Sequence, residues 1–254
     1  MGRKVLAIAQ LTLKAALNEK LLHFAAVFAV GLMLLAIALG DLGPLSNGKI
    51  LADFGLGTMQ AATVLVAIAF ASSDLPRELE RRTLYIVLSK PVGRTTLLVG
   101  KFLGLSAALW LFLAVMAVVF FLSLGLAHLS GSPAFLGAIA VMGLEACLMA
   151  SLVMLFSLLT SQTAAALYGL MFFVIGHQTG LIRSFGRTAG GNSAIVSETL
   201  YRVLPNLEAF NWKNDIVYGH LPTGLQMASA VGYGLALILA FLGLSVIALR
   251  RKEL

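Results

Sequence analysis

Six apolar runs, each long enough to cross a bilayer, divide the sequence. A helix needs about 20 mostly apolar residues to span the hydrocarbon core, and only helices and closed barrels satisfy their backbone groups there. These runs are too long and continuous for barrel strands, so we predict an all-α, polytopic membrane protein with six transmembrane helices. The predicted spans cover about 21–39, 54–72, 96–126, 133–160, 164–182 and 223–249.

The composition supports a membrane protein. Of 254 residues, 59% are hydrophobic and only 11% are charged, whereas a soluble domain has about 25% charged residues. The single cysteine, Cys147, excludes an internal disulfide and any multi-cysteine metal site. Met142, Met149 and Met154 do not share one helix face, so no metal site is predicted. The first twenty residues lack the apolar core of a cleavable signal peptide.

The basic residues are divided unequally between the two sides of the predicted bundle. The net charge of +7 is best explained by orientation rather than by nucleic-acid binding, because cytoplasmic loops accumulate Lys and Arg. The richer side carries both termini and the connection after the second span, so we predict that these are cytoplasmic. The poorer, external side holds Lys49, Arg183, Arg187, Arg202 and Lys213.

Two segments outside the spans have patterns of their own. Within residues 3–20, Gln10, Lys14 and Asn18 recur every four positions, which predicts an amphipathic helix in the membrane interface; the alternative is a frayed tail. Residues 183–222 carry aromatic side chains that suit an interface. We predict short external helices there, packed on the outer mouth, and the alternative is an ordinary external loop.

The connection between the second and third spans carries a dense run of charge. Asp74 and Pro76 form a helix-start signal, and Pro91 disfavours helical geometry at the residue before it. We therefore predict a short amphipathic helix, 76–89, lying parallel to the membrane. It could bind lipid headgroups or transmit force from a cytoplasmic partner; the alternative is a solvated loop that only sets topology.

This connection, "RELERRTLYIVLSKPVGRTTLLVGKFLG", resembles the one after the second span of type-2 ATP-binding-cassette (ABC) exporter permeases. The matching positions are Glu78, Thr83, Leu84, Leu88, Ser89, Pro91, Arg94, Gly100 and Lys101. The N-terminal "LTLKAALNEK" resembles the family's interfacial elbow helix. The segment "LPNLEAFN" at 204–211 is similar to a subgroup that serves copper-enzyme maturation, such as that of nitrous-oxide reductase. Arg82 departs from the family pattern, which usually has Gly there.

The resemblance implies a single permease domain, 1–254, in a bacterial cytoplasmic (inner) membrane. Two such permeases, as a homodimer, would work with two separate ATPase subunits, and membrane lipids would surround them. The coupling helix 76–89 would seat in a groove of the ATPase and link ATP hydrolysis to export. The coupling residues it implies are Glu78, Arg82, Thr83, Leu84, Tyr85, Leu88, Ser89, Pro91 and Arg94.

The chain itself is not predicted to be an enzyme or to carry a cofactor. Its Gly100-Lys101 pair hints at a phosphate loop, but Thr95 and Phe102 stand where that motif needs Gly and Ser or Thr. ATP and Mg are therefore expected in the partner ATPase. A membrane-embedded enzyme would need convergent catalytic groups, and an ion-coupled transporter or channel would need several intramembrane ionisable groups; both kinds of group are scarce.

Glu145 is the most unusual residue within the predicted spans. An acid near the middle of a span costs about 2.5–3.5 kcal/mol on insertion scales, so it should face a partner or a wet cavity. His177 in the fifth span is the candidate partner, with Ser and Thr hydroxyls as others. Two roles stay open for Glu145 and His177: a place in the translocation path or its gating, and simple packing.

Overall fold

The structure is a computed structural model that describes residues 2–18, 27, 30–31, 34, 44–80, 93–126, 131–189, 191–217 and 222–251. Within these ranges it leaves the side chains of residues 18, 44–48, 77–80, 192, 202–203 and 214 undescribed. The described part is helical and contains no strand. Its helices are α1 (Gly2–Asn18), α2 (Pro44–Glu80), α3 (Arg94–Leu126), α4 (Ala134–Leu159), α5 (Gln162–His177), α6 (Thr179–Ala189), α7 (Gly191–Val203), a 3₁₀ helix (Leu207–Phe210), α8 (Lys213–Val217) and α9 (Gly224–Arg251).

Four described helices, α2, α3, α4 and α9, are long and apolar enough to cross a membrane. Four of the predicted spans fall on them, because long apolar runs determine helices locally. A fifth candidate is the bent pair of α5 and α6, if the two count as one span. The first predicted span, 21–39, lies outside the described residues apart from positions 27, 30–31 and 34, so the described part holds four or five spans.

The fifth span was predicted as one run from 164 to 182, and the structure divides this run between two helices. The helix ends at His177 and restarts at Thr179 with a bend of 60°. Thr179 Oγ1 lies 3.3 Å from Gly176 O and 3.1 Å from Asn206 Oδ1. The break therefore satisfies its polar groups through a side chain of the segment after α7, a contact that the apolar pattern does not encode.

The predicted helix start at Asp74 and Pro76 is also wrong. Helix α2 runs without interruption from Pro44 to Glu80 and contains Pro76. Asp74 does not cap a new helix here, because its carboxylate accepts a 2.8 Å hydrogen bond from Lys101 Nζ on α3. Residues 76–80 of the predicted coupling helix are thus a continuation of the second span, and 81–92 lie outside the described residues.

Helix α4 forms the centre of the bundle. It is the most buried of the four spans, and it packs against α2, α3, α5 and α9. Helix α9 lies at the periphery, where Leu225 and Leu239 are largely exposed. Apolar exposure of this kind is favourable where a helix faces lipid.

Small residues let α1 approach α3 closely. A Cβ atom added to Gly100 would lie 2.8 Å from Ile8 Cβ, and one added to Gly104 would lie 2.5 Å from Ala9 O. Gly100 and Gly104, four positions apart, thus form a close-packing pair with α1 as the partner. In a second pair of the same spacing, a Cβ atom added to Gly176 would meet Leu207, whereas one added to Gly180 would meet no atom within 4 Å in the described part.

Helix α1 occupies most of the predicted segment 3–20. Its Gln10 and Lys14 side chains are exposed, and Val5 and Ile8 lie against α3. The short helices α7, the 3₁₀ helix and α8 occupy much of the segment 183–222. We call residues 204–217 the outer segment; Leu207 and Phe210 bury their side chains in the core. Its external position, like the interfacial position of α1, stays a prediction.

Candidate functional site

Glu145 is completely buried in α4 and meets Gln60 of α2. Gln60 Nε2 donates a 2.7 Å hydrogen bond to Glu145 Oε2. Gln60 is itself 3% exposed, and the two residues are separated by 85 positions in the sequence. A carboxyl group in a bundle core is costly unless it has such partners, so this contact is what permits Glu145 to sit at mid-span.

His177, the last residue of α5, completes the predicted pair. Its Nε2 lies 3.4 Å from Glu145 Oε1 and 3.3 Å from Gln60 Nε2. Its Nδ1 lies 3.1 Å from the carbonyl oxygen of Phe173, one turn earlier in the helix. The His177 side chain retains 17% of its exposure, whereas Glu145 retains none. The structure thus brings the two predicted residues together.

Lys213 of α8 reaches the same group from the outer segment. Its Nζ donates a 3.2 Å hydrogen bond to Gln60 Oε1. Lys213 also lines an open cleft of about 460 Å³ beside Asp53 and Gly57. We call Gln60, Glu145, His177 and Lys213 the polar cluster. It joins α2, α4 and α5 to the outer segment.

Sequence reasoning missed Gln60 and Lys213. Gln60 is uncharged, and a single amide in an apolar run carries a weak signal. Lys213 was assigned to the outside of the bilayer as a topology marker, which does not reveal that its ammonium reaches inward. The described residues contain no group of three or more His, Cys, Asp or Glu that could hold a metal ion.

The predicted coupling residues lie mostly beyond what the structure describes. Glu78 belongs to the last turn of α2, but its side chain is not described. The others in the segment are not described at all: Arg82, Thr83, Leu84, Tyr85, Leu88, Ser89 and Pro91. What the structure does show is how the two helices that flank this segment, α2 and α3, are anchored.

Three contacts tie the ends of helices together beside the 81–92 segment. Lys101, only 3% exposed, pairs with Asp74 across α2 and α3 at 2.8 Å. Arg94 Nη1 donates to the carbonyl oxygens of Leu249 and Arg250 at 3.1 and 2.8 Å, at the end of α9. The contact of α1 on Gly100 and Gly104 lies about two to three turns after Arg94 along α3. We call these contacts the basal clamp.

Arg94 was predicted to contact an ATPase, and the structure gives it a contact within the chain. A guanidinium at a helix C-terminus satisfies carbonyl groups that have no helical partner and complements the negative end of the helix dipole. This contact links the start of α3 to the end of α9.

Replacing Arg94 with alanine is expected to loosen the last turn of α9. Loss of hydrogen bonds from a charged donor should cost about 1 kcal/mol, so amide exchange in residues 247–251 should accelerate about 5-fold. Hydrogen-exchange mass spectrometry measures this directly. Lys14→Ala, on the exposed face of α1, is the control. Unchanged exchange at 247–251 in Arg94→Ala would show that the contact does not stabilise α9.

Comparison with known protein families matches residues 5–254 to the ABC-2 family transporter proteins. This match covers nearly the whole chain. The chain belongs to the ABC-2 transporter family. A search of curated proteins found no significant match.

Membership of the ABC-2 family gives the chain its general role. It is the membrane-embedded permease component of an ABC transporter and is not itself catalytic. Members of the family generally work with an ATP-binding-cassette ATPase. The polar cluster and the basal clamp are therefore features of an ABC-2 permease, and the functional question is what each contributes to transport.

Proposed function

We propose that this protein is the permease subunit of an ABC exporter and that a separate ATPase, which binds the segment 76–89, drives it. The match to ABC-2 transporters over residues 5–254 is the observation that carries the proposal. The amphipathic pattern of 76–89 and the excess of basic residues on the same side of the bundle support it. ATP and Mg would be bound by the ATPase, two copies of which would serve a permease homodimer in a bacterial inner membrane.

The basal clamp supplies a path for force from that segment. The segment joins the end of α2 to the start of α3, and Asp74–Lys101 links those two helices directly. Arg94 links α3 to the end of α9, and Gly100 and Gly104 link it to α1. A force applied by the ATPase to residues 76–92 would therefore be transmitted to α1, α2, α3 and α9. ATP can drive transport this way only if it favours one arrangement of the ATPase pair over the other.

An ion-coupled transporter that works without an ATPase is the second candidate. The broken pair of α5 and α6, with Glu145 and His177 beside the break, is the kind of feature such transporters use. Family membership favours the ABC permease, because ABC-2 proteins generally work with an ATPase. The resemblance of 204–211 to permeases for copper-enzyme maturation rests on that segment alone, and the family match does not extend to that subgroup.

Co-purification with an ATPase tests the proposal. The permease is co-expressed with its cognate ATP-binding-cassette ATPase and isolated in detergent. The triple variant Glu78→Lys, Leu84→Ala, Leu88→Ala should lose the ATPase, because it removes both an acidic and an apolar contact from the coupling segment. Asp215→Lys, an equal change of charge on an exposed residue of α8, is the matched control and should retain it.

Two outcomes of this co-purification experiment would contradict the proposal. Size-exclusion profiles of the permease alone first establish that both variants are folded. If the triple variant still retains the ATPase at the wild-type ratio, segment 76–89 does not bind the ATPase. If wild-type permease retains no ATPase but transports substrate without ATP, the ion-coupled alternative replaces the exporter.

A further inference from the structure

The polar cluster fixes its own hydrogen-bond directions, starting from Lys213. An ammonium group has donors only, so the Gln60 atom that faces Lys213 Nζ at 3.2 Å must be the carbonyl oxygen Oε1. The amide nitrogen of Gln60 then faces Glu145 Oε2 at 2.7 Å and acts as its donor. The amide orientation is thus set by chemistry on both sides.

The imidazole of His177 is fixed in the same way. The carbonyl oxygen of Phe173 can only accept, so Nδ1, 3.1 Å away, carries the hydrogen. In a neutral ring Nε2 is then an acceptor. It lies 3.3 Å from Gln60 Nε2, which already donates to Glu145 Oε2.

This leaves Glu145 Oε1 and His177 Nε2 facing each other at 3.4 Å. Without a further proton, both atoms are acceptors. Glu145 Oε1 is fully buried and has no hydrogen-bond partner of good geometry within the described residues. A carboxylate oxygen buried without a donor costs several kcal/mol, and one hydrogen placed between these two atoms removes that cost.

We propose that Glu145 and His177 together bind one proton, between Oε1 and Nε2, and that its presence controls how Lys213 and the outer segment pack on the spans. The same hydrogen serves as Oε1–H donating to the imidazole or as Nε2–H of an imidazolium donating to the carboxylate. In either form the pair as a whole is neutral, so the bundle core holds no net charge there.

Loss of the proton would leave an anion in the core, and Lys213 is the cation that reaches it through Gln60. The attraction between the carboxylate and Lys213 would then strengthen, because charges interact strongly at low dielectric. We expect α8 to be drawn inward when the proton leaves and to relax when it binds. The outer segment thus becomes the part of the protein that responds to proton binding.

Within the described residues, two acids lie near the pair or near Lys213. Asp53 of α2 lines the cleft beside Lys213, and Glu208 of the 3₁₀ helix interacts electrostatically with Glu145 and His177. Cys147, also on α4, lies toward Ser106 and Trp110 of α3 instead. Helix α9 has no charged residue between positions 225 and 249. Asp53 and Glu208 are therefore the acids whose own titration has to be separated from that of the pair.

Nitrogen NMR of histidine tests the proton directly. The full chain, labelled with ¹⁵N-histidine, is placed in lipid nanodiscs, and His177→Gln assigns the His177 signals among the four histidines. In the wild type, Nδ1 should be protonated at every pH. The ¹⁵N chemical shift of Nε2 should change in one step as pH rises, from that of a nitrogen sharing a proton to that of a free acceptor. In Glu145→Gln that step should vanish. Identical His177 signals in both proteins at every pH would overturn the proposal.

Fluorescence of Trp212, the neighbour of Lys213, tests the response of the outer segment. Its emission should change over the same pH range as the His177 signal, and Trp212→Phe should abolish the change. Glu145→Gln and Lys213→Met should also abolish it, whereas Asp53→Asn and Glu208→Gln should keep it. A transition that survives in Glu145→Gln, or one lost only in Asp53→Asn or Glu208→Gln, would assign the titration to another group and overturn the proposed control of the outer segment.

Neither measurement includes an ATPase. Failure of the proton site would therefore leave the coupling proposal standing, and loss of the coupling proposal would leave these two results unaffected.

Discussion

Replacing Gly104 with valine is expected to release α1 from α3. A Cβ atom at position 104 would lie 2.5 Å from Ala9 O, 2.7 Å from Thr12 Cβ and 3.0 Å from Ala9 Cα. Two of these three atoms are backbone, which cannot move aside without displacing the helix. Overpacking a tight contact costs about 1–3 kcal/mol when the structure can adjust, and we expect undocking because α1 can leave more easily than α3 can bend.

Hydrogen exchange over residues 2–18 measures the release, since a detached α1 loses the packing that protects its amides. Gly125→Val is the matched control, because it makes the same change near the other end of α3, where no atom lies within 4 Å of the added Cβ in the described part. Equal exchange in the two variants would show that the Gly104 contact does not hold α1. The coupling proposal adds that ATPase binding should survive in Gly104→Val while transport falls.

Replacing Asp74 with asparagine is expected to destabilise the bundle by about 3 kcal/mol, the lower end of the cost of removing one partner from a buried ion pair. Lys101 is 3% exposed and would lose the carboxylate that faces it, whereas Asp74 is 26% exposed. The partial exposure of Asp74 is why we take the lower figure. Unfolding in mixed detergent, followed by circular dichroism, provides the measurement.

A double-mutant cycle separates the ion pair from other effects. Lys101→Met removes the ammonium group that pairs with Asp74, so the double variant Asp74→Asn, Lys101→Met should be more stable than Asp74→Asn alone. Asp215→Asn, which removes an exposed carboxylate, should change stability by less than about 0.5 kcal/mol. A coupling energy near zero between positions 74 and 101 would contradict the assigned role of this pair.

Four of the predicted spans fall on long described helices because the signal for them is local. The predicted spans 96–126, 133–160 and 223–249 end within two residues of α3, α4 and α9. A long apolar run must form a helix in lipid whatever its neighbours do, because its backbone has no other donors and acceptors. The prediction of a helix start at Asp74 and Pro76 was wrong for the opposite reason. The contact of Asp74 is not local, because its carboxylate pairs with Lys101, 27 positions later in the chain.

Half of the polar cluster could be chosen from the sequence. Glu145 and His177 stood out because an ionisable group within a span is costly and so demands a partner. Gln60 gave no comparable signal, and Lys213 was read only as a marker of the outer side. The bend after His177 was not predicted either. The side chain that contacts it, Asn206, bonds Thr179 and comes from the segment after α7.

The amino-acid sequence alone determined that this chain is a helical membrane protein, because the hydropathy of each apolar run predicts a helix independently of the other runs. It also indicated the family, through residues that lie close together in the chain. The tertiary structure decided which polar groups meet. Gln60 reaches Glu145 across 85 positions and His177 across 117, and such meetings depend on how helices rotate and pack against each other, which no local pattern specifies.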